Sequence, residues 1–215
     1  GKIKLGASQD LILSHDGTDS LIDNLTGNFY IRNQANDKDI VFICDNGSGG
    51  TETYFYLDGS ASSGNPITIF PDNSFLTIGS GQDLAILHNG SHSYITQNGT
   101  GNLYIQQNQN DKDIILESDD GSGGMTAYLT LDGSATTTVF AKNTRIEDSV
   151  LHQFGSGNDM AIYHNGTDSF ITNDTGDLKI RQFANDKDII FDCDDGSGGV
   201  EEYFRLDGSA GGANP

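Results

Sequence analysis

The residues best suited by type and spacing to do chemistry are His15, His88 and His164, which open the related phrases HDGTDSLI, HNGSHSYI and HNGTDSFI. Imidazole titrates near neutral pH and is a common metal ligand, so a recurring histidine invites a general base or a metal site. One recurring histidine per phrase makes a metal site only if all three converge on one axis, because three or four ligands must meet. The structural reading is an imidazole that ends an apolar stripe, partly buried, and hydrogen-bonds a turn carbonyl or a nearby aspartate. His92 and His152 do not recur.

Two further sets bear on binding. Asp192, Asp194 and Asp195, in DCDDGSG, resemble a calcium loop. Its glycine comes one place early for an EF-hand, and no bidentate glutamate stands at the required distance. A weak calcium site is the functional reading and a glycine-rich hairpin the structural one. Tyr54, Tyr128 and Tyr203 occupy matching positions and could stack on sugars, although cross-strand packing is the simpler role. No nucleophile elbow, zinc-protease helix or phosphate-binding loop occurs, and the acidic residues recur in turns. The chain is therefore expected not to be an enzyme and to need no cofactor, weak calcium aside.

Charge narrows the partners. With 11 basic and 31 acidic residues the net charge is −20, which repels polyanions and predicts no binding to nucleic acid or anionic membrane. No stretch approaches the roughly 18 to 20 apolar residues of a membrane helix. The N-terminal GKIKLGAS lacks a signal pattern, so a soluble segment is expected. Cys44 and Cys193 fall at equivalent places and read as small buried residues that do not pair.

The elements that must position these residues recur three times. NDKDIVF, NDKDIIL and NDKDIIF start at Asn36, Asn110 and Asn185, so the offsets are 110 − 36 = 74 and 185 − 110 = 75. DNGSGG or DDGSGG follows, and then YFYLDGS, YLTLDGS and YFRLDGS. Copies of about 73–76 residues span 1–73, 74–148 and 149–215, the last lacking the final linking strand, as if three units were cut from a longer array.

Apolar runs are short and alternate with period two, which predicts an all-β chain with almost no helix. Phe29/Ile31, Leu103/Ile105 and Leu178/Ile180 are expected to face inward on one strand. Ile40/Phe42/Cys44 and Phe55/Leu57, with their counterparts, are expected inward on the next two. The Asp-Gly and Asn-Gly pairs predict two-residue hairpin turns. That register places His164 opposite Thr167, Ile162 opposite Ser169, Ala161 opposite Phe170 and Met160 opposite Ile171, with Ala85/Tyr94 and Ile12/Leu21 as equivalents. The expected fold is three tandem antiparallel β-meander repeats stacked as an elongated array, with a closed pseudo-threefold β-structure as the alternative.

The linked motifs DMAIYHNGTDSFI, TGDLKI and DKDIIF…DDGSGG…YFRLDGS, with their counterparts, resemble repeats of marine bacteriophage virion structural and tail-fibre proteins. The resemblance implies a virion location, a spacer or host-contact scaffold, other virion proteins or a host-surface glycan as partners, and a homotrimer. The alternative is a secreted, extracellular adhesin or carbohydrate-binding module, and a polysaccharide depolymerase is the enzymatic third.

Overall fold

The computed structural model describes residues 1–60 and 64–209, so the expected end of the third copy at Pro215 lies outside the described residues. No helix occurs among them. The chain divides into two compact units, Gly1–Ile105 and Gln106–Pro215. The fold is all-β, made of small open antiparallel sheets with no closed barrel.

Among the described residues the first unit holds nine strands: β1 (Lys2–Leu5), β2 (Leu11–His15), β3 (Ser20–Asn24), β4 (Ile40–Asp45), β5 (Thr51–Asp58), β6 (Ile67–Ile69), β7 (Leu76–Ile78), β8 (Leu84–His88) and β9 (Ser93–Gln97). They form the sheets β1-β2-β3, β4-β5-β6 and β7-β8-β9. The second unit holds β10 (Ile114–Asp119), β11 (Met125–Asp132), β12 (Thr137–Phe140), β13 (His152–Phe154), β14 (Met160–His164), β15 (Ser169–Asn173), β16 (Ile189–Asp194) and β17 (Val200–Leu206). Its sheets are β10-β11-β12, β13-β14-β15 and the two-stranded β16-β17. Every strand pairs with its neighbour in sequence, as short glycine-rich loops require.

The phrase that opens with histidine is a hairpin, but its register differs from the one expected. His164 faces Ser169, Tyr163 faces Phe170, Ile162 faces Ile171 and Ala161 faces Thr172. His88 faces Ser93, Leu87 faces Tyr94 and Ala85 faces Thr96, while His15 faces Ser20 and Ile12 faces Asp23. The cause is the side chain of the first turn residue. Asn165 Oδ1 accepts the Thr167 and Asp168 backbone N–H groups at 2.9 and 2.8 Å, while the Asn165 N–H donates to the Asp168 carbonyl at 3.0 Å. Four residues are thereby held in the loop instead of two. Asp16 and Asn89 do the same in the other copies. A slip of two residues keeps every side chain on its expected face, because the strand period is two.

A second departure concerns FYIR and its counterparts. Residues 28–34, 102–108 and 177–183 are not strands, although their alternation predicts them to be. A strand needs a ladder partner, and none of these runs has one among the described residues.

The expected inward faces are also largely uncovered. Among the described residues only Ala85 and Ala161 are buried apolar ones, at 2% and 5% exposure. The row Ile3–Leu13–Ile22 across β1-β2-β3 is exposed, and so is Leu76–Ile86–Ile95 across β7-β8-β9. Cys44 and Cys193 are free and exposed rather than buried, since among the described residues no second layer covers β4 or β16. Pattern assigns these residues to one face; it does not supply the layer that would cover it.

Candidate functional site

Each repeated histidine ends its strand on the same face as the exposed apolar row. Each imidazole is exposed, so the expectation of partial burial is corrected. Its partner is the serine across the hairpin, not a turn carbonyl or an aspartate. Nδ1 lies 3.4, 3.0 and 3.1 Å from Oγ of Ser20, Ser93 and Ser169 for His15, His88 and His164 respectively. The register that brings each histidine opposite a serine is the one the turn side chain imposes.

His164 has a neighbour that the repeat comparison passed over. His152 on β13 pairs with Ile162, stacks on Phe154 with centroids 4.8 Å apart, and lines an open groove of about 350 Å³ with Ile146, Ile162, His164 and Ser169. Because His152 does not recur, comparing copies could not find it. No group of three or more His, Cys, Asp or Glu able to hold a metal is present among the described residues.

The calcium-like residues are spread along one hairpin. Asp192 pairs with Glu202 on β17, and the Asp194 carbonyl accepts the Tyr203 hydroxyl at 3.3 Å. Asp195 Oδ1 accepts the Ser197 and Gly199 N–H groups at 2.7 and 3.0 Å. Asn46 and Asp120 cap the corresponding loops in the same way. The acidic loop is therefore an anion that satisfies its own backbone donors.

Those donors shift the acidity of the caps. The Ser197 and Gly199 N–H groups hold Asp195 below the ordinary 3.8. The Ser122 hydroxyl and N–H, then Gly124, lower Asp120, while Asp132 is lowered chiefly by the Ala135 N–H and Asp16 by those of Asp19 and Thr18. A carboxylate with a depressed folded pKa stabilises the fold above its unfolded value and loses that contribution as pH falls through the folded one. The gap in melting temperature between wild type and an Asp120→Asn, Asp195→Asn variant is thus expected to be largest near neutrality and to close below pH 3.8. A pH series of calorimetric melts measures it; a gap unchanged down to pH 2 would sink the assignment.

The three tyrosines share a feature that alternation does not announce. Pairing between β4 and β5 shifts after Phe42↔Phe55 to Ile43↔Thr53, which leaves Tyr54 as the extra residue of a β-bulge. Tyr128 and Tyr203 are the extra residues of β11 and β17. Each hydroxyl donates to the carbonyl of the aspartate before the glycine-rich loop, at 2.9 Å for Tyr54 and 3.1 Å for Tyr128. Tyr54 also borders an open groove of about 390 Å³ with Glu52, Pro71, Phe75 and Gln82. Removing one exposed hydroxyl bond costs about 0.5–1.5 kcal/mol. Tyr128→Phe is expected to show a loss in that range by urea denaturation, and no loss would mean the hydroxyl anchors nothing.

One constellation missed from sequence holds each NDKD loop to its LDGS turn. Asp39, Asp113 and Asp188 Oδ1 accept the N–H of Gly59, Gly133 and Gly208 at 2.9, 2.9 and 3.0 Å. Arg205 adds an ion pair to Asp188 at 3.1 Å in the third copy. The signal was present, since both motifs recur together in every copy. Compared with protein-family models, curated proteins and solved structures, the chain matches none.

Proposed function

We propose that the chain is a non-enzymatic structural repeat segment of the virion-surface or tail-fibre kind that its motifs resemble. It acts as a spacer or host-contact display scaffold, assembled from several copies, with a homotrimer as the expected state and the repeats stacked along it. The observation that carries this reading is the uncovered apolar row on the histidine-bearing sheets, Ile3–Leu13–Ile22 and its equivalents. Monomeric soluble domains seldom leave such rows open, whereas subunits of an assembly do. Caps, bulges and serine partners account for the recurring aspartates, tyrosines and histidines as turn architecture, which is what a tandem scaffold needs.

The groove beside Tyr54 favours a second reading, a carbohydrate-binding module. Light scattering combined with small-angle X-ray scattering tests the first: the expected mass is a multiple of 23.0 kDa with an elongated particle. A compact 23.0 kDa particle would sink it. Glycan-array binding that disappears in Tyr54→Ala would transfer support to the module. Release of reducing ends from polysaccharide would overturn the non-enzymatic assignment.

A further inference from the structure

We propose that residues 28–34, 102–108 and 177–183 are the strands by which one copy of this chain pairs with another. The inference deepens the reading of the chain as a self-assembling segment and rests on it.

The three runs have the sequence of strands without the bonds of strands. In NFYIRNQ, Phe29 and Ile31 alternate with Tyr30 and Arg32; in NLYIQQN, Leu103 and Ile105 alternate with Tyr104 and Gln106; in DLKIRQF, Leu178 and Ile180 alternate with Lys179 and Arg181. No backbone N–H or carbonyl of these residues makes a hydrogen bond to another of the described residues. Every residue of the runs is exposed, including Ile31 at 60%, Ile105 at 67% and Ile180 at 63%. A single β-rich run without a partner is a sheet edge on both sides and a ready template for another chain.

Space is available beside them. The ends of the second and third runs border open grooves of about 300 and 530 Å³, floored by β10-β11 and β16-β17 respectively.

Charge points to a second copy as the occupant. Two chains of net charge −20 repel, so contact is least costly where charge is most nearly balanced. The runs and the NDKD loops that follow hold six of the eleven basic residues, Arg32, Lys38, Lys112, Lys179, Arg181 and Lys187, against seven of the 31 acidic ones, a net charge of 6 − 7 = −1 that leaves −19 on the rest of the chain.

The test uses the full chain in two measurements. Light scattering is expected to give a multiple of 23.0 kDa for the wild type, and hydrogen–deuterium exchange to show the three runs protected at least about 100-fold over free peptide. A Tyr30→Pro, Tyr104→Pro, Lys179→Pro variant, which lacks one ladder donor per run, is expected to lose both the mass and the protection. A multimeric wild type whose runs exchange at the free-peptide rate would overturn the inference and leave self-assembly standing. A proline variant that keeps the wild-type mass would overturn it in the same way. A wild type that stays at 23.0 kDa overturns both proposals and leaves the runs to a different protein. Should the proline variant fail to fold, wild-type exchange alone decides.

Discussion

Gly133→Ala is expected to destabilise the chain by about 2–3 kcal/mol, the range of a substitution that forces packed backbone to move. A Cβ at Gly133 would stand closer than 3.0 Å to the Lys112 carbonyl oxygen, an atom that cannot swing aside as a side chain would. The Asp113 carboxylate fixes that approach by accepting the Gly133 N–H at 2.9 Å, so the loop and the turn cannot separate without losing the bond. Gly133 is not among the glycines with positive φ, and the effect is steric rather than torsional.

Gly123→Ala provides the contrast. Its φ is +88° with nothing near the added methyl, so it bears only the left-handed backbone cost of about 1 kcal/mol. Urea denaturation of both variants separates the two causes. Equal losses would mean that the Lys112 contact does not constrain Gly133. Asp113→Ala is expected to remove much of the penalty in the double variant, because the alanine then no longer has to sit against Lys112.

Much of this was legible in the sequence, and the parts that were not share a physical origin. Period-two alternation identified the fold class, and it placed His164 with Met160 and Ile162 on one face correctly even though the register was two residues off. Asn-Gly predicted a two-residue turn; the Asn165 side chain took the N–H bonds that would have closed it, a choice that backbone propensity does not encode. Tyr54 was recognised by recurrence, but its role depends on a bulge, which appears only when Ile40–Asp45 and Thr51–Asp58 are paired. The link from Asp113 to Gly133 spans 20 residues and needed the sheet to bring its ends together. FYIR is the instructive failure. Its pattern is that of a strand, and a pattern is the same whether the partner belongs to this chain or to another.

The melting temperature is expected to rise with protein concentration, by about 3–6 °C over a hundredfold range. The interior is thin: Ala85 and Ala161 are the only buried apolar residues among those described. Small sheets with an open apolar face are marginal in water, since ladder bonds exchange for bonds to solvent and leave little net gain. Internal comparison shows what a third strand contributes: Phe55 and Leu129 are half-buried in three-stranded sheets, whereas Phe204 on two-stranded β16-β17 is 57% exposed. In the proposed assembly, association covers the remaining faces. Each tenfold dilution then removes about 1.4 kcal/mol per association step, shared among the chains, and at about 2–4 °C per kcal/mol for a domain this long the shift is measurable. Salt sharpens the test, because screening weakens repulsion between copies of charge −20. Added sodium chloride is expected to raise the melting temperature of dilute samples more than that of concentrated ones. A melting temperature independent of concentration would mean that the single chain is stable with its apolar faces open.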